Sequence, residues 1–118
     1  MPRSDAERVA DALQSARLAV DFVAAMSLGD LTADPRTLAA LKYELLVLGE
    51  ALGSVSEKTR LGAAQLPWSQ VRGLRNVITH EYFRVSPAIL YQVVTADLPE
   101  LIPALEALLN DLELKTDD

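Results

Sequence analysis

The chain has 118 residues, half of them hydrophobic but only 5% aromatic, with a formal charge of −6. That length fits one domain, residues 1–118, with a modest core. It has no cysteine and one histidine, which excludes a disulfide framework, a thiolate zinc site, a cysteine nucleophile and a histidine-rich metal cluster within one chain.

Leu, Ala and Val supply most of the apolar mass, which points to an all-α fold. No uninterrupted apolar run has the length of a bilayer span, and the charged N-terminus is unlike a signal peptide, so a cytoplasmic protein with no membrane partner is expected. The acidic balance argues against sequence-indifferent nucleic-acid binding over the whole surface, and no DNA partner is expected. Local charge differs. Lys58, Arg60, Arg72, Arg75 and Arg84 face only Glu81 within their segment, so 58–84 carries +4 and the remainder −10. An anion belongs there, unless these cations are neutralised by the excess carboxylates.

The first helix opens on the capping-box pattern Ser4-Asp5-Ala6-Glu7 and carries Val9, Leu13, Ala16, Val20 and Val23 at helical spacing, ending near Gly29. Asp34-Pro35 supplies a cap and a first-turn proline for a second helix. Its stripe is Leu38, Leu41, Leu45, Leu48, Leu52 and Val55. Arg60 to Trp68 is the longest irregular stretch, and Pro67-Trp68 opens a third helix that runs through Phe83 and loses its pattern near Arg84. Ser86-Pro87 caps a last helix reaching about Leu114, which Pro99 should break or kink near Asp97. The tail Lys115–Asp118 is expected to fray. Together these elements predict an antiparallel bundle of four to five helices.

The segment RNVITHEY, Arg75 to Tyr82, contains the single histidine, His80. Read as a helix, it places Val71, Leu74, Val77 and Ile78 on the core side, with Arg72, Arg75, Thr79 and Tyr82 in a stripe beside them. Asn76 and His80 are one turn apart. Arg75 and His80 lie about 140° apart around the axis. They converge on one phosphate more easily if a second copy faces the first across a twofold axis. Histidine can move a proton near neutral pH, and arginine can hold a phosphate through paired hydrogen bonds. Asn76 could bond a ring nitrogen of His80 and select its tautomer. RNA brings its own nucleophile, the 2′-hydroxyl, so phosphodiester transfer requires neither metal nor cofactor. The plainer alternatives are a helix-end cation at His80, a pairing of Arg75 with Glu50 or Glu44, and a core-edge role for Tyr82.

Arg75, His80 and Tyr82 complete the pattern R-x4-H-x-Y, and with it the chain resembles the HepT family of HEPN-domain proteins. The likeness extends to LKYELLVLGEAL, LPWSQVRGLRNVITHEYFRV and SPAILYQVVTADLPELIPALEALL. One departure is Lys42, where many relatives carry arginine. The resemblance implies a HEPN-like bundle and a toxin ribonuclease, a homodimer that cleaves RNA without metal and leaves a 2′,3′-cyclic phosphate or its opened form. It gives Arg75 the phosphate, His80 the proton transfer and Asn76 the polar place after the arginine; Arg72 and Thr79, on the stripe of Arg75, are expected as neighbouring substrate contacts. It also implies an MntA-type nucleotidyltransferase antitoxin that transfers AMP to Tyr82, placing bulk and charge on the stripe of Arg75. A narrow substrate such as a tRNA end would reconcile the acidic surface with a local cationic cleft. The alternative is a non-catalytic helical module, or an antitoxin, that docks a nucleotidyltransferase and presents Tyr82.

Overall fold

The computed structural model describes residues 3–116, and the final Asp117-Asp118 of the expected frayed tail lie outside them. Among the described residues the secondary structure is entirely helical. The helices are α1 (Asp5–Val23), α2 (Leu28–Thr32), α3 (Pro35–Gly53), α4 (Glu57–Gly62), α5 (Trp68–His80), α6 (Pro87–Gln92) and α7 (Leu98–Thr116), with a π-helical turn, Val93–Asp97, joining the last two.

Side-chain hydrogen bonds fix the directions. Asp5 at the start of α1 accepts from Ser56 beyond the end of α3. Glu50 of α3 accepts from Arg75, and Lys42 reaches Tyr82, so α5 returns along α3. Tyr91 donates to the Met26 carbonyl and Arg17 to Glu106, so the last rod runs back along α1. The result is the antiparallel all-α bundle expected from the leucine spacing. Its core holds Val9, Leu13, Leu41, Leu45, Leu48, Ile78, Leu90, Leu98 and Leu105.

Three elements depart from or refine the expectation. α1 stops at Val23 instead of near Gly29, because Ser27 and Asp30 form a second capping box that starts the short α2. α4, capped by Ser56, precedes the stretch read as irregular and runs into its first three residues, Arg60 to Gly62. The interruption expected near Asp97 from Pro99 takes the form of a π-helical turn, Val93–Asp97, after which the helix continues. The Pro99 ring would crowd the preceding turn, and the π-helical turn just before it, closed by the Leu98 N–H donating to the Val93 carbonyl, absorbs the misfit. The rod that results, Pro87–Lys115, is long and apolar enough by length and composition to cross a bilayer, although its apolar residues form no uninterrupted run of that length. Its inward side, Leu90, Val94, Leu98, Leu101 and Leu105, is buried in the bundle.

The Asp5 carboxylate ties α1 to α4. It accepts from the Ser56 N–H (3.0 Å), the Ser56 hydroxyl and the Thr59 hydroxyl (2.7 Å). Burial pushes its pKa up, but the bonds from Ser56 and Thr59 outweigh that and hold it below the ordinary value. A pKa depressed by folding means stability that is present above the unfolded pKa and lost as pH falls through the folded one. Asp5→Asn is therefore expected to melt below the parent at neutral pH, with the gap closing as pH drops below about 4. Thermal melts across that range check this, and a gap that widens on acidification would refute the assignment.

Candidate functional site

The motif residues sit on α5 and the turn after it. The helix is oriented at its start by Trp68, whose indole N–H donates to the Ala63 carbonyl at 2.9 Å. Val71 and Ile78 bury its inner face. Halfway along, α5 meets α3 at Gly49. A Cβ at Gly49 would lie 2.5 Å from the Arg75 Cβ and 2.9 Å from its Cγ. Only glycine lets the two backbones approach this closely, and the stem of Arg75 occupies the space.

The arginine head is also held. Arg75 Nε donates to Glu50 Oε1 at 2.6 Å, and one terminal nitrogen donates to Asn76 Oδ1 at 3.1 Å. Of the two carboxylates considered from the sequence, Glu50 is the partner and Glu44 is not. Asn76 spends its oxygen on Arg75 and does not bond the His80 ring, which corrects the expected tautomer contact. His80 is the last residue of α5 and is exposed, its side chain making no hydrogen bond or ion pair among the described residues. Arg72 and Thr79 are exposed on the same helix.

Tyr82 is not on the stripe of Arg75. The helix ends at His80, Glu81 leaves helical geometry as the C-cap, and the Arg84 N–H closes a turn on the Glu81 carbonyl (2.8 Å). The chain must reverse there to reach Ser86 and α6. Lys42 fixes the turn: its ammonium donates to the Tyr82 carbonyl at 2.8 Å and sits 4.8 Å above the ring centroid. The Tyr82 ring packs against the core, while its hydroxyl makes no hydrogen bond and is not fully buried, so it reaches solvent. Val77, expected in the core, is 43% exposed, and Phe83 is 94% exposed. α5 packs mainly on α3, which leaves these outward positions uncovered.

Beside Arg75 a cavity of about 270 Å³ opens between α3, α4 and α5, lined by Arg60, Arg72, Arg75, Asn76, Glu50 and Trp68 among others. Thr79 and His80 do not line it. Of the five basic residues between 58 and 84, only Arg75 has a carboxylate partner among the described residues. The excess acids therefore do not neutralise this segment. Reading the sequence missed Gly49 and Arg60 as site residues. Ser56-Glu57, a cap before an acidic first-turn residue, was the available signal for the helix that carries Arg60.

Residues 12–108 match the family described as HepT-like ribonuclease, and the chain belongs to that family. It is 28% identical over 114 residues to "Putative RNase MJ0127" of Methanocaldococcus jannaschii, covering 96% of this chain and 94% of that protein. It is 26% identical to "Probable ribonuclease HepT" of Thermococcus cleftensis over 86% of this chain and 92% of that one. A third relative, "Putative RNase TTE0752" of Caldanaerobacter subterraneus, is 29% identical over 75% of this chain and 80% of its own length. No solved structure gave a significant match. The expected endoribonuclease agrees with this family.

The Gly49 crossing can be checked directly. Gly49→Ala forces a methyl into Arg75 and is expected to destabilise the fold by about 1–3 kcal/mol. At Gly53 a Cβ meets nothing within 4 Å, so Gly53→Ala should stay within about 1 kcal/mol of the parent. Urea unfolding of the two variants would show whether the cost is specific to the approach at Arg75.

Proposed function

We propose that this member of the HepT-like ribonucleases is a single HEPN-like domain over residues 1–118 that acts in the cytoplasm as the toxin of a toxin-antitoxin pair. It cleaves RNA as a homodimer, without metal, and is restrained by AMP transfer to Tyr82 from an MntA-type nucleotidyltransferase. The observation that carries the reading is the set on α5: a rigidly held Arg75, Asn76 beside it and an exposed, unpartnered His80, in a chain of a ribonuclease family. The exposed Val77 and Phe83 flanking His80 are suited to contact with a second copy.

In this reading Arg75 and its counterpart hold the scissile phosphate, with Arg72 and Thr79 as further contacts on the same helix. The His80 ring of one chain takes the proton from the 2′-hydroxyl, whose oxygen attacks phosphorus. The bond to the 5′-oxygen breaks, and the second copy's protonated His80 supplies a proton to that oxygen. The products are a 2′,3′-cyclic phosphate end and a 5′-hydroxyl end. Asn76 acts by steadying the Arg75 head, not by selecting a histidine tautomer. Tyr82 offers a solvent-reaching hydroxyl as the acceptor of AMP.

A second reading, a non-catalytic module or antitoxin that presents Tyr82 to a nucleotidyltransferase, is favoured by one observation: the guanidinium of Arg75 already has a carboxylate partner. His80→Ala separates the two. Purified protein in EDTA, free of its partner, is expected to cleave cellular RNA to cyclic-phosphate ends, and His80→Ala to lose at least about 100-fold of that rate while keeping its fold. Cleavage that survives in His80→Ala would remove the catalytic assignment. Tyr82→Phe should remain toxic in cells that also make the nucleotidyltransferase, and should gain no AMP by intact-mass measurement; AMP on that variant would place the acceptor elsewhere.

A further inference from the structure

We infer that the cavity between α3, α4 and α5 is a second phosphate site, in which Arg60 and Arg72 hold the RNA nucleotide adjacent to the one whose phosphate Arg75 receives. The inference rests on the ribonuclease reading and adds a binding residue, Arg60, from a helix outside the motif. Three guanidinium side chains line the cavity against one carboxylate, Glu50, and that carboxylate is taken up by Arg75. Arg60 and Arg72 have no ion pair among the described residues, in a chain with 17 acidic side chains available. Cations gathered at one cavity and left without partners in an acidic protein mark a place for an external anion.

The shape and chemistry of the cavity narrow the class of anion. At about 270 Å³ it is too small for a folded protein element and suits part of one nucleotide. Trp68 adds an aromatic side chain to a cationic wall, the combination that single-stranded nucleic acid uses. The cavity is continuous with Arg75, which lines it, so an RNA strand placed with its scissile phosphate on Arg75 runs into it. Arg60 is carried there by α4, and α4 is anchored by Asp5 through Ser56 and Thr59. That anchoring holds the start of α4 against α1 before any ligand arrives.

The test is binding of a short 2′-O-methyl RNA oligonucleotide, which lacks the free 2′-hydroxyl and cannot be cleaved, followed by fluorescence anisotropy over a series of salt concentrations. Each phosphate contact on a single strand contributes about 0.7 to the slope of log affinity against log salt. Arg60→Gln is expected to lower the slope by about 0.7, and Arg72→Gln by a similar amount. Arg60→Lys should restore the slope, and Lys115→Gln, on α7 and outside the cavity, should leave it unchanged. In cleavage assays Arg60→Gln should raise KM several-fold with little change in kcat. An unaltered slope in Arg60→Gln, from a parent protein that binds and cleaves, would overturn the second site alone. A parent that neither binds the oligonucleotide nor cleaves RNA would overturn the ribonuclease reading and the second site together.

Discussion

The close crossing of α3 and α5 at Gly49 is the constraint on which the site depends. With Gly49 buried and Arg75 pressed over it, the arginine stem cannot sweep freely. Its head then meets Glu50, the next residue on α3, and Asn76, the next residue on α5. Two consecutive-neighbour relations thus turn one missing side chain into a directed guanidinium. The leucines on either side, Leu45, Leu48 and Leu52, are all buried and hold the crossing in register. Core packing and site geometry are the same contact seen from its two sides.

The ion pair at this crossing serves orientation more than stability. Both of its side chains are substantially exposed, 37% for Arg75 and 53% for Glu50, and pairs in that setting contribute about 0–1 kcal/mol. An incoming phosphate therefore does not have to break a strong interaction to share the arginine. Glu50 bonds through Nε, so a ligand approaching the terminal nitrogens meets a head that is already aimed. The rest of the local positive charge is treated differently. Arg60 and Arg72 lie near the same cavity without carboxylates, although the whole chain is acidic. Charge on this protein is segregated, which resolves the conflict between a net charge of −6 and an anionic substrate.

The fold was legible where caps and periodicity agree. Ser4 with Glu7, Asp34 before Pro35 and Ser86 before Pro87 all start helices where their side chains say they should. One error came from treating one residue as decisive. Gly29 looked like a stop, but the chain had already left α1 and restarted at Ser27. The disturbance expected near Asp97 from Pro99 is a wider turn that accommodates the ring, while burial of Val94, Leu98 and Leu101 keeps the rod against the core. The site was legible as residue types, since Arg75, Asn76 and His80 share α5. Of their contacts, the pairing of Arg75 with a carboxylate was among the readings, but the choice of Glu50 over Glu44 was not, because it is set by a helix crossing 25 residues away in sequence. No local pattern encodes that distance.

The end of α5 at His80 changes how modification of Tyr82 would act. On a continuous helix, AMP on the tyrosine would lie along the row of Arg75 and compete there for phosphate. In the turn, Tyr82 is held by Lys42 through both its carbonyl and its ring, so the residue stays in place while its hydroxyl faces outward. It follows His80 by two residues, with Phe83 stacked edge-on against its ring at 5.3 Å. A nucleotide attached there adds bulk and negative charge at the histidine end of the site, next to exposed apolar surface suited to a second copy. In the proposed reading such a block would act on proton transfer at His80 and on contact with a second copy, leaving the contacts of Arg75 intact. Because Lys42 bonds a carbonyl and covers a ring face, a compact ammonium is sufficient there, where no planar pairing is made.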